Sequence, residues 1–132
     1  MLEYTHMMPL ERPIWSRFLE ATDLEILAVE YDVHVGRGAE IDPAWTEATK
    51  RQVLATSRKR IDAVLHTPEA IIICEVKPRA GMGALGQLLA YRQLFAREHP
   101  TGREVKMAVV CERVEPDVPE VMAAHGITIY RV

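Results

Sequence analysis

Glu75-Val76-Lys77 closes the apolar run Ile71-Ile72-Ile73-Cys74, and Asp62 stands thirteen positions before Glu75 in another strand-like segment. Side chains alternate across a strand, so Glu75 and Lys77 should share a face. Charges at the end of a buried strand are costly unless paired, solvated or bound to metal. Two acids and a lysine on neighbouring strand ends suit metal-dependent phosphodiester hydrolysis. A solvated Asp–Lys pair at a sheet edge would account for any one of these residues; the trio in this register favours a site.

In Arg60-Ile61-Asp62-Ala63-Val64-Leu65 the aspartate is the lone acid of an apolar strand. If Ile61, Ala63 and Leu65 face one side, Asp62 shares the other with Val64. Opposite Glu75 in a hairpin, it completes a pair of hard oxygen ligands. Mg²⁺ suits such a pair, because it needs few carboxylates and keeps its other positions for water and phosphate. The ion would acidify a bound water and neutralise phosphorane charge. Lys77 could orient the attacking water or stabilise developing charge. Gln87 and Tyr91 stand at i and i+4, on one face of a helix, and bring an amide and a phenol. Arg58-Lys59-Arg60 is a compact basic cluster directly before Asp62, read either as a solvated loop or as a phosphate contact.

Asp62, then Glu75-x-Lys77, then Gln87-x-x-x-Tyr91 resembles the PD-(D/E)XK nuclease superfamily, and its RecB-like branch in particular. The likeness covers about residues 60–95, and the element order extends it over most of the chain. It implies that Asp62 and Glu75 hold Mg²⁺ or Mn²⁺, that Lys77 assists the nucleophilic water, and that Gln87 and Tyr91 flank the site and the substrate backbone. It implies DNA as partner, contacted by Arg58, Lys59, Arg60 and Arg79; for Arg79 a simple loop-capping role is as good a reading. A further acid is expected on the first helix, with Glu20 the best candidate and Glu30 and Asp32 its rivals. The implied fold is α/β, a mixed central sheet of about five strands flanked by helices in a restriction-endonuclease-like αβββαβ core.

Periodicity and chain breakers locate the strands and helices around these residues. Ile14–Ala21 reads as a helix opened by Pro13. In Leu24–Val35 the residues Val29, Tyr31, Val33 and Val35 alternate with polar ones, as in a half-exposed strand that Gly36 and Gly38 end. Residues 39–57 read either as a helix capped by Asp42 or as a loop, insertion or arm that packs on a partner. Arg60–His66 and Ala70–Lys77 should form a hairpin, with Pro78 as its stop. A glycine-rich entry leads to a helix over Ala84–His99; Val105–Cys111, Pro116–His125 and Ile127–Val132 complete a strand, helix and strand. The first three strands can meander, and the last two follow helical crossovers and so should be parallel.

The 132 residues fit a single domain with a real core, preceded by an irregular segment, 1–13. Apolar residues make up 48%, which argues against disorder. No stretch reaches the ~18 apolar residues of a membrane span, and the start has no secretory apolar core. A cytoplasmic location is expected, or a virion-associated one if the chain is of phage or mobile-element type. Cys74 and Cys111 sit in apolar runs and read as buried free thiols rather than a disulfide or zinc ligands. Trp15 and Trp45 read as packing residues, Trp45 as an interface anchor if its segment is an arm. His6, His34, His66, His99 and His125 are scattered and read as surface or capping residues.

A net charge of −3 is unlike a typical nucleic-acid binder, so any phosphate affinity must be local. Two functions stay open. One is a divalent-metal-dependent nuclease that cuts DNA by metal-activated water. The other is a non-catalytic protein of the same fold, in a homo-oligomer or with a partner protein in a virion-type assembly contacting nucleic acid.

Overall fold

The computed structural model describes residues 7–132. Its elements run α1 (Arg12–Ala21), β1 (Ala28–Val35), α2 (Glu47–Ser57), β2 (Lys59–His66), β3 (Ala70–Ala80), α3 (Met82–Glu98), β4 (Glu104–Val114), α4 (Val118–Ala124) and β5 (Ile127–Arg131). The strands form one sheet in sequential order. β1–β2 and β2–β3 are antiparallel, β3–β4 and β4–β5 parallel. This is the mixed five-stranded α/β architecture expected, with the meander first and the crossovers last. The expected N-terminal irregular segment lies partly outside the described residues, as does His6; from Arg12 the chain is already helical, with a proline in its first turn.

The sheet separates two apolar clusters. Ile14, Trp15 and Phe18 of α1 pack on Ala63, Leu65, Cys74, Val76 and Val110. Leu88, Tyr91 and Phe95 of α3, with Met122 of α4, cover Val64, Ile73, Val109 and Cys111 on the other face. Both cysteines are free and buried, as expected. Trp15 also packs as expected, and its indole N–H donates to the Tyr31 hydroxyl at 3.0 Å.

Three sequence expectations need correction. First, β1 and β2 do not keep one face along their length. Tyr31 packs with the α1-side cluster but Val33 with the α3-side cluster; across the ladder, Ala63 and Ile61 divide the same way. The change of face falls at Asp32, whose φ of 54° is left-handed, a conformation aspartate tolerates better than most residues. Second, Pro78 does not stop β3, which stays paired with β4 to Ala80↔Val114. The β2–β3 ladder ends at Ala63↔Cys74, so one flank of β3 carries no strand there, and a missing donor is tolerated. Third, residues 39–57 hold a helix, but Thr46 caps it, accepting the Thr49 N–H at 3.1 Å. Asp42 instead forms a turn, accepting from the Ala44 N–H at 2.8 Å. No residue of α2 is buried.

Among the described residues no helix is long and apolar enough to cross a membrane.

Candidate active site

β2, β3 and α3 bring Asp62, Glu75, Lys77, Gln87 and Tyr91 together. The last β2–β3 pair, Ala63↔Cys74, leaves Asp62 and Glu75 as the next opposed positions. No ladder continues; side chains close it. The Val76 N–H donates to Asp62 Oδ2 at 2.9 Å, and the Asp62 N–H donates to Glu75 Oε1 at 3.3 Å. Each strand thus spends a main-chain donor on the acid of the other, which fixes both carboxylates at the sheet end.

Glu75 is 2% exposed, and among the described residues only it and Thr67 are buried polar or charged side chains. Burial, followed by the negative charge of Asp62, pushes its carboxyl pKa up to about 9; the Asp62 N–H and the Lys77 ammonium oppose this only in part. Lys77 Nζ lies 3.9 Å from Glu75 Oε2, with the lysine side chain 29% exposed. On α3, Gln87 Nε2 donates to the Tyr91 hydroxyl at 3.4 Å. Burial and then the Glu75 charge raise the Tyr91 pKa, while the Gln87 hydrogen bond lowers it. The phenol therefore sits in the field of the carboxylates. Lys77, Arg79, Gln87 and Glu115 line an open groove of about 460 Å³ beside them.

The donor set fits a small divalent cation. Two hard carboxylates meet where burial and the charge of Asp62 push the Glu75 pKa up and Lys77 opposes this only in part. A divalent ion held by Asp62 and Glu75 would supply the missing charge.

The remaining candidates are placed elsewhere. Glu20 is exposed on α1, whose apolar residues pack on the opposite face of the sheet from α3. Glu30 meets the His66 ring at 3.1 Å. Asp32 takes both arms of the Arg60 guanidinium, at 2.6 and 2.8 Å. Among the described residues no third Asp, Glu, His or Cys joins the pair to make a cation cage. Arg58 is a clamp: it donates to the carbonyls of Gly36 and His34, at 2.8 and 3.1 Å, and pairs with Glu98 at 2.8 Å. Arg79, 57% exposed, faces Glu115 at 3.8 Å. Of the basic cluster, only Lys59 is exposed without an ion pair among the described residues.

Glu115 went unnoticed in the sequence. It follows β4 directly, and parallel pairing sets the ends of β3 and β4 side by side, so topology could have found it. A Cβ on Gly81 would come within 2.5 Å of Glu115 Oε2, so the bare glycine is what lets this carboxylate reach Arg79.

No protein-family model matches the chain, and no curated protein matches it in sequence. Solved structures do resemble it. An EndoMS–dsDNA2 complex superimposes with a TM-score of 0.55 at 15% identity, covering 92% of this chain and 44% of that one. A repair endonuclease from Pyrococcus abyssi gives 0.54 at 14% identity, covering 96% and 47%. A protein of unknown function gives 0.50 at 13%, covering 88% and 53%. The chain therefore spans about half the length of the structures it resembles, and shares their fold.

Proposed function

We propose that this chain is a divalent-metal-dependent nuclease that hydrolyses DNA phosphodiester bonds, of PD-(D/E)XK type and closest in motif to the RecB-like branch. One observation carries the reading: Asp62, on β2, meets Glu75 and Lys77 of β3 at one sheet end, with Glu75 buried and held between Asp62 and Lys77. The fold shared with a repair endonuclease and with a DNA-bound protein supports it.

In this reading Asp62 and Glu75 hold Mg²⁺ or Mn²⁺, which supplies Lewis acidity and an acidified water. Lys77 presents its ammonium to the open groove, where it orients water and offsets charge developing on phosphate. Gln87 and Tyr91 border the substrate backbone, the amide as a donor and the ring as a wall. Arg79 contacts phosphate once it leaves Glu115.

The test is cleavage of linear and circular DNA with Mg²⁺ or Mn²⁺, comparing the natural chain with Asp62→Ala and Lys77→Ala. Loss of activity by about 100-fold or more in both variants is expected. Equal activity in all three proteins would identify a contaminant and end the proposal. A second reading, a non-catalytic subunit of an assembly, draws on α2, which buries no residue, and on Trp45, 38% exposed beside it. A ring-shaped oligomer that binds no Mn²⁺ would favour that reading.

A further inference from the structure

The C-terminal half of α3 borders a second feature, a groove of about 490 Å³ between the end of β1, the end of α2 and the start of β2. Arg37, Lys59 and Arg97 line it, with Ser57 and the apolar Leu94 as walls. Arg37 and Lys59 have no ion pair among the described residues. Arg97 shares Glu98 with Arg58. Counting Arg58 and Glu98, four cations face one carboxylate, so the groove holds an excess of positive charge in a chain whose total is negative.

We propose that this groove binds a backbone phosphate of the same nucleic-acid strand whose scissile phosphate lies at Asp62 and Glu75. The inference rests on the nuclease reading for its ligand, but on separate residues for its substance. Two rulers place the groove. Lys59 and Asp62 are three positions apart on β2, about 10 Å of strand. Tyr91 and Arg97 are six positions apart on α3, about 9 Å of helix. Both distances match the axial rise of roughly three nucleotides in one strand of a duplex, at ~3.4 Å each. The groove and the carboxylates lie along the same helix, since Gln87, Tyr91, Leu94 and Glu98 follow one stripe of α3. A strand running past α3 would meet the carboxylates first and the cations about three nucleotides later. Lys59 and Arg37 would anchor by charge, without reading bases.

The test is DNA binding by fluorescence anisotropy in EDTA, where no cleavage is needed, as a function of salt. Arg37→Gln with Lys59→Gln should weaken binding about tenfold or more and lower the slope of log K against log salt by about 1, since a lost phosphate contact removes about 0.9. Lys59→Arg should retain wild-type behaviour. Lys106→Gln, at the far end of β4, serves as the control for bulk charge and should change neither quantity. The proposal is overturned if the double variant keeps wild-type affinity and slope, if Lys106→Gln loses as much, or if the double variant loses only binding to phosphatidylserine vesicles. Groove-dependent binding without Mn²⁺-dependent cleavage would leave this inference standing and remove the nuclease reading.

Discussion

Asp62 and Glu75 are joined through their backbones as much as through their charges: the Asp62 N–H donates to Glu75, while the Asp62 carboxylate takes the N–H of Val76, the residue after Glu75. The two acids replace the ladder that would otherwise continue between β2 and β3. Neither can swing away without exposing an unpaired buried donor or acceptor, which costs about 1–3 kcal/mol.

The pair should tie stability to pH. Glu75 is raised to about 9 in the folded chain, above a value of ~4.3 when unfolded. Between those limits the unfolded chain has shed a proton that the folded chain keeps, so stability falls as pH rises. Glu75→Gln lacks this titration. Chemical denaturation should show the variant gaining on the natural chain from pH 4.5 to pH 8.5. Parallel pH profiles would contradict the buried, raised carboxyl.

Mn²⁺ should raise the Tm of the natural chain and leave that of Asp62→Asn unchanged. The shift should be larger at pH 8 than at pH 6, because Glu75 must release its proton to bind the ion. A Tm shift equal in both proteins would place the ion elsewhere.

Asp32 holds a left-handed backbone and the Arg60 guanidinium at once. Asp32→Ala removes both compensations and should cost about 1–2 kcal/mol, mostly through the backbone, since exposed ion pairs contribute little. Asp32→Asn, which tolerates the same φ, should cost less. Urea denaturation of the two variants decides the order.

Glycine-to-alanine changes should divide by backbone. Gly38 has φ +77°, and a Cβ there would meet Ser57 Oγ at 2.6 Å, so Gly38→Ala should destabilise by about 1 kcal/mol or more. Gly86 lies within α3 with open space around it, and Gly86→Ala should stabilise by about 0.5–1 kcal/mol. Thermal melts of both variants test the signs.

Replacing residues 40–55 by a short Gly/Ser turn should cost no more than about 1 kcal/mol relative to the natural chain, since α2 has no fully buried residue and only Val53 and Leu54 of its apolar side chains are half-buried. The junction is short: the Ala39 N–H already reaches Ser57 Oγ at 2.8 Å. A large loss of Tm would reveal packing by α2 that its exposure does not suggest.

Sequence alone determined the strands and the helix that carry the site, the antiparallel start and parallel end of the sheet, and the meeting of Asp62, Glu75 and Lys77; Gln87 and Tyr91 were singled out by the motif resemblance. The former follow from alternation, breakers and the cost of burying charge, all of which act locally or through the sheet's own connectivity. The three-dimensional arrangement decided the rest. The change of face at Asp32 was hidden because periodicity assumes every residue has φ below zero. The roles within Arg58-Lys59-Arg60 were equally hidden: three adjacent cations read as one patch, yet Arg58 is held by Gly36, His34 and Glu98, Arg60 by Asp32, and Lys59 is left facing the groove with Arg37 and Arg97. Their partners come from β1 and α3, up to forty positions away. Which charge is committed and which is open is settled only when those distant elements pack.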